Sequence, residues 1–121
     1  MHTEEEVREA TLTYFNNDEL ATNVFMTKYC LRDNEGNFIE KTPDDMHERM
    51  AREFSRIEDK FSEHAGKHAL TEEEILSYFK NFKYVVPQGS PMMGIGNNYV
   101  NVSLSNCVVV ESPCDNISSI V

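Results

Sequence analysis

Long apolar runs are absent from the sequence, and the first ten residues, MHTEEEVREA, contain no apolar signal segment. A membrane-spanning helix needs about 18 or more consecutive apolar residues, and a secretory signal needs an apolar core close to the N-terminus. The sequence therefore argues against membrane insertion and against secretion, and it predicts a cytoplasmic protein.

Cysteine is also scarce. Cys30, Cys107 and Cys114 form an odd set without a compact spacing, whereas small secreted domains carry even, closely spaced sets that pair as disulfides. A disulfide framework is therefore not expected, and a reducing compartment is. Cys30 lies between Tyr29 and Leu31, and we interpret it as a small buried hydrophobic residue.

Basic residues are few: 11 Lys and Arg stand against 21 Asp and Glu, which gives a formal net charge of −10. An acidic surface repels phosphate backbones, so direct binding of nucleic acid is not expected. The acidity belongs to the first part of the chain, because only Lys83, Glu111 and Asp115 are charged after residue 80. The nearly neutral part that follows is rich in Val and Gly, and we expect it to be buried.

Two patterns that would indicate a metal or a dinucleotide are incomplete. His64 and His68 have the i, i+4 spacing of two zinc ligands, but Gly66 lies between them and no third ligand is near in the sequence. A solvated helix end is the better interpretation, and no metal site is predicted. The stretch GIGNNY lacks the third glycine of a dinucleotide-binding loop, and no clear strand leads into a helix after it.

Helix signals fill the first eighty residues. Four N-terminal patterns predict four helices: Thr3 with Glu6, Asp18, Thr42 with Pro43, and Thr71 with Glu74. Apolar residues at helical spacing along the third helix predict one core-facing stripe: Met46, Met50, Phe54, Ile57 and Phe61. Between the second and third helices, the stretch DNEGN at residues 33–37 predicts a hairpin turn.

The chain changes character after residue 84. Residues 85–98 are rich in Gly, Pro and Met, and we expect a loop whose backbone amides and Ser90 hydroxyl are able to bind phosphate or sugar oxygens. Residues 99–111 begin with alternating polar and apolar residues and end in three valines, which predicts a strand that enters a covered core. Cys107 lies where the strand turns apolar, and its spacing alone favours a buried structural thiol over a redox thiol.

Three stretches together resemble the N-terminal part of the ribonucleotide reductase catalytic subunit, most closely the adenosylcobalamin-dependent class II form. They are YFNNDELATNVFMTKYCLRDNEGNFIEKTPDDMHERMAREFSRIE, NFKYVVPQGSPMMGIGNN and VSLSNCVVVESPCDNISSI. They occur in the order of that family and at about its separations. The resemblance implies a mainly α N-terminal domain followed by the first strand of a ten-stranded α/β reductase barrel, which is incomplete here.

The resemblance also implies site residues. Cys107 matches one of the two reducing thiols, which supply protons and electrons while a thiyl radical on another cysteine activates the ribonucleotide. Ser90 matches a hydroxyl that contacts the substrate, and Asn106 matches a position that helps to hold the nucleotide. Asp115 falls near an aspartate that recognises the allosteric effector nucleotide, where it would also suit a helix N-cap.

Other parts of the reductase have no counterpart in these 121 residues: the second reducing cysteine, the radical cysteine with its Asn and Glu, and the C-terminal cysteine pair. Cys114 is too close to Cys107 to replace them, and we interpret it as incidental. We therefore expect a piece of a reductase that is inactive alone. Residues 1–82 would form the helical domain with a short hairpin. Residues 83–121 would hold the substrate loop, the first barrel strand and the start of the next helix.

Partners and cofactor are expected by the same resemblance. The substrate would be a ribonucleoside di- or triphosphate, the partner would be the remainder of the reductase or a complementary fragment, and a thioredoxin-like reductant would act through the missing cysteine pair. The complete class II enzyme uses adenosylcobalamin, and none is expected to bind this chain alone. Class I forms that lack an N-terminal ATP-binding cone are an alternative.

A second hypothesis comes from a different class of protein. The same acidic, helical sequence is compatible with a small interaction module that has no catalysis of its own, in which Cys107 is only packed core. The two hypotheses differ over Cys107, which is a reducing thiol in one and a structural residue in the other.

Overall fold

The computed structural model describes residues 1–61, 69–105, 107–110, 112 and 114. Five α-helices lie in these ranges: α1 (Glu4–Tyr14), α2 (Glu19–Val24), α3 (Pro43–Lys60), α4 (Glu72–Phe79) and α5 (Gly89–Gly94). A π-helical turn, Phe25–Tyr29, continues α2, and a 3₁₀ turn, Lys80–Phe82, follows α4. No helix in these ranges combines the length and the apolar composition needed to cross a membrane.

Side-chain caps begin the helices where the sequence predicts them. At α1 the Thr3 amide donates to the Glu6 carboxylate at 2.8 Å, and the Glu6 amide donates to the Thr3 hydroxyl at 3.2 Å. Thr71 and Glu74 make the same reciprocal pair at α4. Each pair satisfies amides that have no partner inside the helix. The four predicted helix starts in this part of the chain are therefore confirmed.

The predicted hairpin is present as a tight turn with isolated β-bridges. Phe38 forms antiparallel bridges with Arg32 and with His2, and the described residues contain no longer strand. The Asp33 carboxylate accepts the amides of Glu35 and Asn37, each at 2.9 Å. The Asp33 side chain thus provides hydrogen-bond partners for backbone amides of the turn. Each of the two backbone pairings of Phe38 consists of a single β-bridge.

The core lies between α3 and the elements that pack on it. Met46, Met50 and Ala51 on α3 are fully buried. They form one cluster with buried apolar side chains from the rest of the domain: Val7, Phe25, Met26, Cys30, Phe38, Ile75 and Phe79. The stripe prediction is therefore correct for the first two turns of α3.

The same stripe is exposed further along α3. Phe54, Ile57 and Phe61 are 37%, 38% and 59% exposed, contrary to the prediction that all five stripe residues face the core. The physical reason is length, because α4 has 8 residues against the 18 of α3 and leaves its C-terminal end partly uncovered by the described residues. An apolar groove remains there between Phe54 and Ile57 on one side and Tyr78 on the other.

The region after residue 84 differs from the sequence prediction. Residues 89–94 form α5 within the predicted loop, because Pro91 lies in the first helical turn, where its missing amide hydrogen costs no hydrogen bond. The predicted first barrel strand is unconfirmed. Its described residues form no strand and have no neighbouring strand to pair with in the described part, and Val108, Val109 and Val110 are exposed. The predicted helix that starts near Asp115 lies outside the described residues.

We predict that Met50→Ala lowers the free energy of unfolding by about 2–5 kcal/mol, because it removes a fully buried side chain and leaves a cavity. Met93→Ala is the matched control, since Met93 is 37% exposed on α5, and it should cost less than about 1 kcal/mol. Chemical denaturation followed by circular dichroism measures both. Equal losses in the two variants would contradict the assignment of Met50 to the core.

Candidate functional site

The residue predicted to contact substrate, Ser90, lies half-buried in the first turn of α5. It lines an open cleft whose opposite wall is the π-helical turn, with Lys28 and Tyr29. Gly89 allows this close packing, because a Cβ atom there would lie 3.2 Å from both Cε1 and the hydroxyl oxygen of Tyr29. The cleft therefore lies between the predicted substrate segment and the helical domain.

A buried arginine on α3, Arg49, holds this segment by hydrogen bonds. The Arg49 guanidinium donates to the carbonyl oxygen of Met92 at 2.8 Å and to the carbonyl oxygen of Ile95, at the C-terminal end of α5. These carbonyls lie at a helix end, where helical partners are missing and a positive charge is favourable. Arg49 thus replaces the hydrogen bonds that a longer helix would make.

Glu40 balances the charge of Arg49. Its Oε1 accepts from Arg49 Nε at 2.5 Å, and its Oε2 accepts from the Leu31 amide at 2.9 Å. The two side chains are only 5% and 7% exposed. Burial of either charge alone would cost several kcal/mol, so each needs the other. We call Arg49, Glu40 and the two carbonyls of Met92 and Ile95 the Arg49 cluster.

Gly96 lets the backbone reach α3 beside this cluster. Its φ is +72°, and a Cβ there would lie 2.9 Å from Arg49 Cγ and 3.2 Å from the Arg49 carbonyl oxygen. Any other residue would be strained in this conformation and would also collide with Arg49. The glycines of PQGSPMMGIGNN therefore serve close packing on the domain, at Gly89 and at Gly96.

Cys30 is buried beside the same cluster, as the sequence interpretation proposed. Its Sγ donates to the carbonyl oxygen of Glu40 at 3.2 Å. Burial, followed by the charge of Glu40, raises the pKa of Cys30 to about 12. A thiol with this pKa is almost fully protonated near neutral pH and is a poor nucleophile. Cys30 is a structural residue.

Cys107 is exposed, as is Cys114. The exposure of Cys107 is contrary to its interpretation as a packed core thiol. Cys107 is not among the described residues that line the Ser90 cleft, so the structure does not bring these two predicted site residues together. Asn106 and Asp115, the other two, lie outside the described residues, as do His64 and His68.

Sequence reasoning missed the Arg49 cluster. Glu40 and Arg49 are nine residues apart and lie among many other charges, and neither their spacing nor their neighbours indicates burial. The available signal was indirect. Several glycines after residue 88 indicate that the backbone approaches another surface closely, but they do not identify that surface.

The described part of the chain is an all-α domain by its fold, since its regular elements are α-, π- and 3₁₀-helices around α3. The domain holds a short Gly- and Ser-containing helix against its central helix through a buried arginine.

Residues 15–98 match the family described as "Ribonucleotide reductase, all-alpha domain". The match covers more than half of the chain, so the chain belongs to this family. The matched range includes the Arg49 cluster and α5. No curated protein and no solved structure matches the chain significantly.

We predict that Arg49→Met destabilises the fold by about 3–5 kcal/mol, because it leaves the Glu40 carboxylate buried without its partner. Arg52→Met is the control on the same helix, since Arg52 is exposed, and it should change stability by less than about 0.5 kcal/mol. Urea denaturation measures both variants. A cost below about 1 kcal/mol for Arg49→Met would contradict a structural role for the cluster.

We predict that the two cysteines that remain in a Cys114→Ser variant react at very different rates. At pH 8 the exposed Cys107 should react with a chromogenic disulfide reagent in the first phase, while Cys30 should react only after denaturant is added. A further Cys30→Ala change should remove the slow phase alone. Rapid reaction of both thiols in the folded protein would show that Cys30 is accessible.

Proposed function

We propose that the chain is part of a ribonucleotide reductase and supplies its helical domain and a portion of the substrate site. The family match over residues 15–98 carries this proposal. The Arg49 cluster supports it, because it fixes the Ser90-bearing helix to the domain and leaves Ser90 at an open cleft.

Cys107 would act as one of two reducing thiols. In the proposed reaction the 2′ hydroxyl of a ribonucleotide leaves as water, and a hydrogen takes its place on the carbon. Two thiols supply the two electrons and two protons and become one disulfide, so this step balances without a further reductant. The exposure of Cys107 supports this role, since it leaves the thiol accessible to a substrate and to a second thiol from outside this chain.

The other site residues have supporting roles in this proposal. Ser90 would donate its hydroxyl to the substrate, Asn106 would help to hold the nucleotide, and Asp115 would recognise the effector nucleotide. The thioredoxin-like reductant would reduce the disulfide through cysteines that the 121 residues do not contain.

Adenosylcobalamin is the proposed cofactor of the complete enzyme, on the basis of the class II resemblance, and it supplies the radical when bound. No group of three or more His, Cys, Asp or Glu side chains within the described ranges is placed to hold a metal ion. We propose that the complete enzyme, with the parts that these 121 residues lack, is needed to bind adenosylcobalamin.

The decisive experiment combines this chain with a polypeptide that carries the rest of a class II reductase barrel, including the missing cysteines. We predict deoxynucleotide formation from the mixture, with adenosylcobalamin and a dithiol, and none from the 121-residue chain alone. In the mixture, Cys107→Ser should abolish sustained turnover while assembly persists, because one of the two electron-donating sulfurs is lost. Product is measured by chromatography.

Cys114→Ser is the matched control, since Cys114 is also exposed but has no proposed role. It should keep most of the activity. Full turnover by the Cys107→Ser mixture would overturn the assignment of Cys107, and turnover by the unmixed chain would overturn the proposed dependence on a partner.

The second candidate function is a non-catalytic interaction module. The apolar groove beside Phe54, Ile57 and Tyr78 favours it, because exposed apolar patches often mark surfaces that bind other proteins. A reading frame beside this gene that resumes the barrel and encodes the missing cysteines would favour the reductase. Failure of every complementary polypeptide to restore turnover would favour the module.

A further inference from the structure

A histidine lies at the centre of a chain of aromatic rings that joins three elements. His47 on α3 is fully buried. Its ring stacks on Phe79 of α4, with centroids 6.3 Å apart and planes 12° apart, and it meets Phe82 of the 3₁₀ turn edge-on at 4.6 Å. Phe82 in turn stacks on Phe15 at the end of α1. His47 is thus one residue of α3 that contacts both α4 and the turn after it.

The polar atoms of His47 are its two ring nitrogens, and both are buried. Neither ring nitrogen has a hydrogen-bond partner among the described residues. A neutral imidazole tolerates this arrangement better than an imidazolium, which would carry a full charge between two phenyl rings. A cation over an aromatic ring gains about 0.5–2 kcal/mol, whereas burial of an unpaired ion costs several kcal/mol. The cost exceeds the gain, so the closed packing requires neutral His47.

The neighbouring charged and titratable groups do not offset this cost. On α3, Asp44 favours the protonated form, but burial outweighs it and lowers the pKa of His47 below its ordinary 6.5. Lys80 of the 3₁₀ turn lines a small cleft with Asp44 and Glu48. From α1, Tyr14 lies near Asp44 and the Asn81 backbone. The residue of α4 that contacts the imidazole, Phe79, is uncharged.

The turn beside His47 is strained. Asn81 and Phe82 both have positive φ angles, 57° and 53°, a conformation that costs about 1 kcal/mol or more for residues other than glycine. For a side chain as large as Phe82 it is rare. The contact between Phe82 and His47 helps to hold this conformation, so loss of the contact would let the turn relax.

We propose that His47 is a pH-sensitive switch for the segment of residues 72–82, which comprises α4 and the 3₁₀ turn. When His47 takes up a proton, this segment separates from α3 and the imidazolium reaches water. The segment from Met92 to Gly96 stays in place, because the Arg49 cluster holds it by contacts that do not involve His47. This proposal does not depend on the reductase proposal.

The direction and size of the effect follow from one proton. A group with a lowered pKa in the closed form stabilises that form above its ordinary pKa, and this stability is lost as the pH falls below it. With an ordinary pKa of 6.5 for the open form, the equilibrium constant for opening should rise between pH 7.5 and pH 5.5, by up to about tenfold when the closed form takes up no proton in this range. This window lies above the ordinary pKa values of the carboxylates.

Hydrogen exchange of the 121-residue chain tests the switch. Protection factors, corrected for the intrinsic exchange rate at each pH, should fall for the amides of residues 72–82 between pH 7.5 and pH 5.5, by up to about tenfold. The amides of Ile95 and Asn97 beside the Arg49 cluster should keep theirs. In His47→Phe, which keeps an aromatic ring but cannot take up a proton, residues 72–82 should show no change with pH.

Two further measurements make the result decisive. The triple variant H2Q/H64Q/H68Q leaves His47 as the only histidine and should retain the same change in protection with pH. If His47→Phe does not fold, NMR titration of the His47 ring in the triple variant replaces it, and the pKa of His47 in the closed form should lie below its ordinary value of 6.5. The proposal is overturned if residues 72–82 open with the same pH dependence in His47→Phe. It is also overturned if they share the protection of Met50 and Ala51 at every pH, which would mean global unfolding, or if the pKa of His47 in the closed form is at or above its ordinary value.

Discussion

The buried pair of Arg49 and Glu40 is the interaction on which the packing around α3 depends. A guanidinium and a carboxylate are costly to bury, and both are almost fully covered here. The cost is offset because each charge also binds backbone: Glu40 accepts the Leu31 amide, and Arg49 donates to two carbonyls at the end of α5. One ion pair thereby joins α3, the turn before it and a helix more than forty residues later. A helix as short as α5 would not be stable in isolation.

This arrangement explains why the segment with Ser90 has its composition. Gly89 permits contact with Tyr29, and Gly96 permits contact with the backbone and stem of Arg49. Both glycines therefore belong to the packing of the segment on the domain. Ser90 is left at the open side, next to the π-helical turn. The match to the ribonucleotide reductase all-alpha domain family covers both the helical domain and this segment.

The two sides of α3 are stabilised by different kinds of interaction. The Arg49 side is held by charges and hydrogen bonds with fixed geometry. The α4 side is held by apolar contacts, among them Ile75 in the core and a series of rings from Phe54 through Phe79 and His47 to Phe82. Ring contacts are less directional, and one of the rings is able to gain a charge. The α4 side also borders the apolar groove, so its packing is less complete among the described residues. We therefore expect a change in solution conditions to affect the packing of α4 before it affects the Arg49 side.

Local signals in the sequence determined the helices and their starting points, because a capping box or an Asx turn forms between residues only a few positions apart. Period alone also identified Met46 and Met50 as core. The helical spacing of apolar residues did not predict the exposure of Phe54, Ile57 and Phe61, since their burial depends on how far α4 extends. It also did not predict the helix at Gly89–Gly94. Only the tertiary structure decided that Glu40 and Arg49 are buried, that His47 lies between two rings and that Cys107 is exposed. Each of these depends on partners distant in the chain, which no local pattern encodes.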